Sequence, residues 1–181
     1  MNPAAMGKRP RLMFQDEARF GRMSRPRRCR APAGTRPVMC NGCEREFTCV
    51  YGVVSPMEGT LDYRLCAKMN TEEMGNFLRQ VSQKYPDEYL LMVVDGAGSH
   101  RARALEAPSN AALIALPGYS PQLNPRENAG DEIREKNFPD RVYDSMSAVR
   151  DKLIEGLAGF AANTAAVSSL TAWPWIHKIL S

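Results

Sequence analysis

Leu12-Met13-Phe14-Gln15-Asp16-Glu17-Ala18-Arg19-Phe20 alternates: Leu12, Phe14, Asp16, Ala18 and Phe20 fall on one side of an extended chain, and Met13, Gln15, Glu17 and Arg19 on the other. A period of two sustained over this length predicts a strand. Asp16 stands in the middle of the apolar side, where an ionised carboxylate is costly to desolvate unless a cation or several donors compensate it. A bound metal ion would do so. So would an arginine partner, or a strand end at which Asp16 faces water. Glu17, one residue on, points to the opposite face.

Outward from this strand, residues 21–46 are rich in arginine and proline, and Pro26, Pro32, Gly34, Pro37 and Gly42 argue for a long loop insertion. Residues 47–54 and 60–67 read as two strands joined by the turn Ser55-Pro-Met-Glu-Gly59, an antiparallel hairpin. Asn70 or Thr71, with Glu73, opens a helix running to about Lys84, with Met74, Phe77, Leu78 and Val81 at helical spacing and Pro86 beyond its end. Residues 90–94 and 111–116 are uninterrupted apolar runs, the pattern of central strands covered on both faces. Helices over 125–137 and 145–161 supply the cover, the second with Val149, Leu153, Leu157 and Phe160 along one side. The order predicts a single α/β domain over 1–181: a mixed five-stranded sheet, three antiparallel strands followed by two parallel ones, flanked by helices.

Two further acids join Asp16. Asp95 ends the run Leu90-Leu-Met-Val-Val-Asp95, so it emerges at the carboxyl edge of the sheet, where open α/β folds bind ligands. It could also serve as a helix cap or close a turn. Glu127 follows Asn124-Pro125-Arg126, a ready helix start with Asn124 as N-cap, Pro125 at the first helical position and Glu127 placed to complete a capping box. A carboxylate in that first turn also projects toward the edge from which the chain entered, and Asp131, one turn on, is its substitute. Three acids of this kind can hold two magnesium ions, which prefer oxygen ligands and stabilise both the attacking and the leaving oxygen at a phosphodiester.

The net charge of +4 is mild, but Arg22, Arg25, Arg27, Arg28 and Arg30 cluster in the loop as a candidate polyanion contact, and His100 could orient a phosphate. Five cysteines without a secretory leader read as reduced thiols of a cytoplasmic protein, and no apolar run is long enough to span a bilayer. Cys40 and Cys43 have zinc-knuckle spacing but lack a second pair, so ordinary loop thiols are the default.

These motifs resemble the catalytic domain of DDE-type transposases in the mariner-like superfamily, specifically its related bacterial insertion-sequence group. The resemblance runs from Leu12 through Phe138 and is carried by Phe14-Gln-Asp16-Glu-Ala-Arg-Phe20, Gly34-Thr-Arg-Pro37, Tyr51-Gly-Val-Val54, Val93-Val-Asp95-Gly-Ala-Gly-Ser-His100 and, most specifically, Leu116-Pro-Gly-Tyr-Ser-Pro-Gln-Leu-Asn-Pro-Arg-Glu127. It implies a ribonuclease-H-like fold, with Asp16, Asp95 and Glu127 as catalytic residues and ligands of two divalent cations, Mg2+ or Mn2+. The implied chemistry is cutting and joining of DNA: water attacks first at transposon ends, and a freed 3′-hydroxyl then attacks target DNA. The implied assembly is a homodimer on paired ends, in the bacterial cytoplasm and associated with the nucleoid when bound to DNA, with the arginine loop touching DNA or the neighbouring subunit.

Two departures stand out. Relatives usually carry a tryptophan three residues after the third acid, where this chain has Gly130, which removes a packing anchor and weakens the helix. Nothing resembling the family's helix-turn-helix module precedes Leu12, so the expectation is a catalytic half served by an upstream helix-turn-helix polypeptide, a truncated relic, or an excised piece. The rival expectations are a non-catalytic nucleic-acid-binding remnant and a general ribonuclease-H-like nuclease. The segment Ser120-Pro-Gln-Leu-Asn-Pro125 matches transposases better than the latter.

Overall fold

The computed structural model describes residues 7–22, 32–35, 46–95, 105–117, 120–138 and 142–180. Its strands are β1 (Arg9–Gly21), β2 (Phe47–Ser55), β3 (Thr60–Cys66), β4 (Glu88–Val94) and β5 (Ala111–Ala115), in one sheet of order β3-β2-β1-β4-β5. β2 pairs antiparallel with both β1 and β3, while β4 runs parallel to both β1 and β5. This is the expected mixed sheet. The helices are α1 (Thr71–Lys84), α2 (Arg126–Asn137), α3 (Met146–Ala162), α4 (Thr164–Thr171) and α5 (Pro174–Leu180).

The alternation of β1 separates two cores. Phe14, Ala18 and Phe20 join Val50, Val54 and Val93 on the face covered by α2, α3 and α4. Met13 joins Tyr51, Val53, Leu90 and Met92 on the face covered by α1. Asn70 caps α1 by accepting from the Glu73 N–H at 2.8 Å, and Met74, Phe77, Leu78 and Val81 are all buried, as their spacing requires. The Glu73 carboxylate does not fold back to the cap; it accepts from Arg64. Each fully buried side chain of this size stabilises the fold by roughly 2 kcal/mol.

One expectation needs correction. The apolar run over residues 111–116 forms the edge strand β5, with Ala111 buried but Ile114 45 % exposed, because β4 occupies the interior position beside β1. An apolar run reports hydrophobicity and not the number of neighbouring strands. Beyond the expected helix over 145–161, the chain forms α4 and α5. Asn163 starts α4 by accepting from the Ala166 N–H at 3.0 Å, and Val167 and Ile176 are fully buried. Trp175 meets Phe14 edge-on, with ring centroids 5.9 Å apart, so the C-terminal helices close the face that carries Asp16. Among the described residues no single helix is long and apolar enough to cross a membrane.

Candidate active site

The geometry starts from β1. Its pairing with β4 runs from Arg9 opposite Glu88 to Phe14 opposite Val93, and Asp16 and Asp95 each lie two residues beyond the last of these pairs. Phe14 and Val93 share one core, and by the alternation of β1 the Asp16 carboxylate belongs to the same face, the one covered by α2. Asp16 and Asp95 are both half-buried, and Asp95 follows immediately after the end of β4 at the carboxyl edge of the sheet. On its other flank Asp16 pairs with Gly52 of β2.

Glu127 reaches this edge through Asn124. The buried Asn124 amide donates to the backbone oxygen of Gln15 at 2.9 Å, and its side-chain oxygen accepts from the Arg126 N–H at 3.1 Å. One side chain thus ties the start of α2 to the residue before Asp16 and satisfies one of the helix's orphan donors. The expected capping box does not form. α2 begins at Arg126, one residue later than expected, and the exposed Glu127 carboxylate makes no hydrogen bond among the described residues. Asp131, its substitute, is paired with Arg134 at 3.3 Å and its side chain is 62 % exposed.

The electrostatics of Asp16 register the assembly. Burial pushes its carboxyl up to about 6; the Arg126 guanidinium and a hydrogen bond from the Glu17 N–H pull it down, while the charges of Glu127 and Asp95 push it up. Glu127 therefore lies within electrostatic reach of Asp16.

Arg126 escaped the sequence reading. It is 1 % exposed, the largest fully buried side chain, and its Nε and Nη1 make no hydrogen bond among the described residues. It lies over Gly52, where a Cβ would collide with Nε and Nη2 and stand 2.8 Å from Cζ, and a Cβ on Gly130 would stand 3.1 Å from Nη1. The signal available beforehand was Gly130 itself, since a glycine four residues after an arginine on a helix leaves room on the same face. The helix-weakening residue thus makes space for a guanidinium.

Of the loop arginines only Arg22 is described, and it is engaged in the fold. It donates to the backbone oxygens of Tyr143 at 3.0 Å and Asp144 at 2.9 Å, tying the end of β1 to the chain leading into α3. Arg25, Arg27, Arg28, Arg30, His100, Cys40 and Cys43 lie outside the described residues.

The three acids offer only oxygen, the donor type that suits magnesium or manganese. Among the described residues no group of three or more His, Cys, Asp or Glu side chains stands close enough to enclose a metal ion. The donor set thus fits a hard divalent cation in chemistry and charge, without forming a preassembled cage.

Comparison with known proteins bears on the fold and the family. Mos1 transposase in a paired-end complex with the left transposon end superposes with a TM-score of 0.59 at 17 % identity, covering 90 % of this chain and 56 % of that one. The pre-cleavage Mos1 transpososome gives 0.64 at 16 %, covering 90 % and 54 %, and the Mos1 mariner paired-end complex with Mg gives 0.63 at 17 %, covering 90 % and 53 %. The chain therefore spans a little over half the length of these Mos1 chains, and at such identities the likeness establishes the ribonuclease-H-like fold. The uncharacterized protein y4pE/y4sA of Sinorhizobium fredii is 30 % identical over 95 residues, 52 % of this chain and 70 % of that protein. Residues 11–150, from the start of β1 into α3, match the sequence profile of the DDE superfamily endonucleases, and the chain belongs to that family.

Proposed function

We propose that this chain is the catalytic domain of a DNA transposase, in which Asp16, Asp95 and Glu127 are the catalytic carboxylates and hold two divalent cations, Mg2+ or Mn2+. What supports the reading is that the β1–β4 pairing ends two residues before Asp16 and Asp95, that the charges of Asp95 and Glu127 both raise the proton affinity of Asp16, and that Asn124 anchors the first turn of α2, with Glu127, to Gln15. When bound, the cations would activate the nucleophile and offset the charge of a pentacoordinate phosphate.

The chain's own residues have distinct parts. Asp16, fixed within β1 by its pairing with Gly52, and Asp95, directly after the end of β4, form one side of the site. Glu127, exposed on a helix start, forms the side that closes over a phosphodiester. Half-burial of Asp16 lowers the local dielectric and strengthens its grip on any cation there. The substrate is DNA, first at transposon ends and then at the target, and loop arginines would add salt-dependent affinity for its phosphates. The active complex is a homodimer on paired ends, with end recognition supplied by a helix-turn-helix segment or polypeptide, acting on nucleoid DNA in the bacterial cytoplasm.

Nicking of supercoiled plasmid tests this. Cutting that requires Mg2+ or Mn2+ and disappears in Asp95→Asn is expected. DNA binding without metal-dependent cutting would favour a non-catalytic remnant, and preferential cutting of an RNA–DNA hybrid over transposon-end DNA would favour a general nuclease.

A further inference from the structure

Arg126 is a guanidinium enclosed at the root of the acidic edge. It projects from the first residue of α2, next to Glu127, and lies over Gly52, the cross-strand partner of Asp16. Gly52 and Gly130 together make its slot: a Cβ at either position would crowd the guanidinium from β2 or from its own helix. Two of its nitrogens are buried without a hydrogen-bond partner among the described residues, so hydrogen bonding accounts for only part of its placement. Its burial disfavours its own charge, and the acids Asp16 and Glu127 favour it.

We propose that Arg126 is a positioning residue acting through Asp16 and Glu127: a built-in cation, seated between Gly52 and Gly130, that partly neutralises these acids and holds metal affinity down until a DNA phosphate restores the negative charge. This inference rests on the reading of the three acids as metal ligands. The physical reason is charge balance in a site of reduced dielectric. A fixed positive charge beside two carboxylates repels a divalent ion about twice as strongly as a monovalent one, and an incoming phosphate offsets that repulsion.

A residue that merely props the helix would loosen the metal site when removed, whereas a resident counter-charge would tighten it. The sign of the change therefore separates the two roles. Arg126→Met and Arg126→Gln remove the charge with a side chain of different shape in each case. Folding is checked by circular dichroism, and Mn2+ binding is followed by isothermal titration calorimetry at pH 8, with and without a DNA duplex. The expected result is folded variants that bind Mn2+ more tightly than the unsubstituted protein in the absence of DNA, on the order of tenfold, with a smaller further gain when DNA is added. Variants that bind Mn2+ equally or more weakly would overturn the inference and leave the metal-site reading standing. Failure of both variants to fold would also overturn it, because the guanidinium would then be an anchor. No Mn2+ uptake by the unsubstituted protein, even with DNA, would remove the metal-site reading and this inference with it.

Discussion

Asp16→Asn is expected to remove activity while making the protein more stable at neutral pH. In the fold the Asp16 carboxyl sits at about 6, against an ordinary value of 3.8, with burial as the main cause and the charges of Glu127 and Asp95 adding to it. Between those two values the folded protein holds a proton that the unfolded chain has released. Stability therefore falls as pH rises through that window, and the loss is complete above it. At ~1.4 kcal/mol per unit the difference amounts to about 3 kcal/mol at most, and partial solvent screening of a half-buried group brings the expected gain to roughly 1–3 kcal/mol. The attraction of Arg126 is already included, because the net shift is upward in spite of it. Urea unfolding at pH 7.5 should show Asp16→Asn with the higher midpoint, equivalent to a rise in Tm on the order of 5 °C. The gap should shrink as the pH is lowered toward 4, where the native carboxyl is itself neutral. Mn2+ should stabilise the unsubstituted protein by mass action and leave the variant unchanged. A variant less stable than the unsubstituted protein at pH 7.5, or a gap that does not vary with pH, would refute the account of Asp16 as a carboxylate under electrostatic strain.

Two substitutions away from the carboxylates test how the site is supported. Asn124→Ala removes the bond to the Gln15 oxygen and the cap on the Arg126 N–H, so a loss of about 1–3 kcal/mol in urea unfolding is expected, together with slower plasmid nicking because Glu127 is less firmly held. A change within experimental error in both measurements would show that α2 is docked by other contacts. Gly59→Ala puts a Cβ on a residue with φ +62°, against the Thr164 carbonyl and 2.7 Å from the Ser168 hydroxyl oxygen. A loss of about 2 kcal/mol or more is expected in thermal unfolding, since α4 must move away from the β2–β3 turn. Unchanged melting would mean that this turn and α4 are not rigidly packed.

The strand β1 and the helix α1 were legible in the chain because each follows from local periodicity. Alternation alone put Phe14, Asp16, Ala18 and Phe20 on one face, and Asn70 with the Met74, Phe77, Leu78, Val81 stripe specified a capped amphipathic helix. The three acids were legible by residue type and by position at element ends, and the resemblance of their motifs supplied the chemistry. Local periodicity carries no information about who stands next to whom. That β5 lies at an edge, that Asn124 bonds to Gln15 and not into a capping box with Glu127, and that α5 sets Trp175 against Phe14 are all contacts between residues distant in sequence. Arg126 shows the difference most clearly. In sequence it is one more arginine before an acidic residue; in the fold it is buried where Gly52, from another strand and opposite Asp16, and Gly130, from its own helix, leave room for the guanidinium. Burial, and with it the electrostatics of the acidic edge, is set by those three-dimensional neighbours.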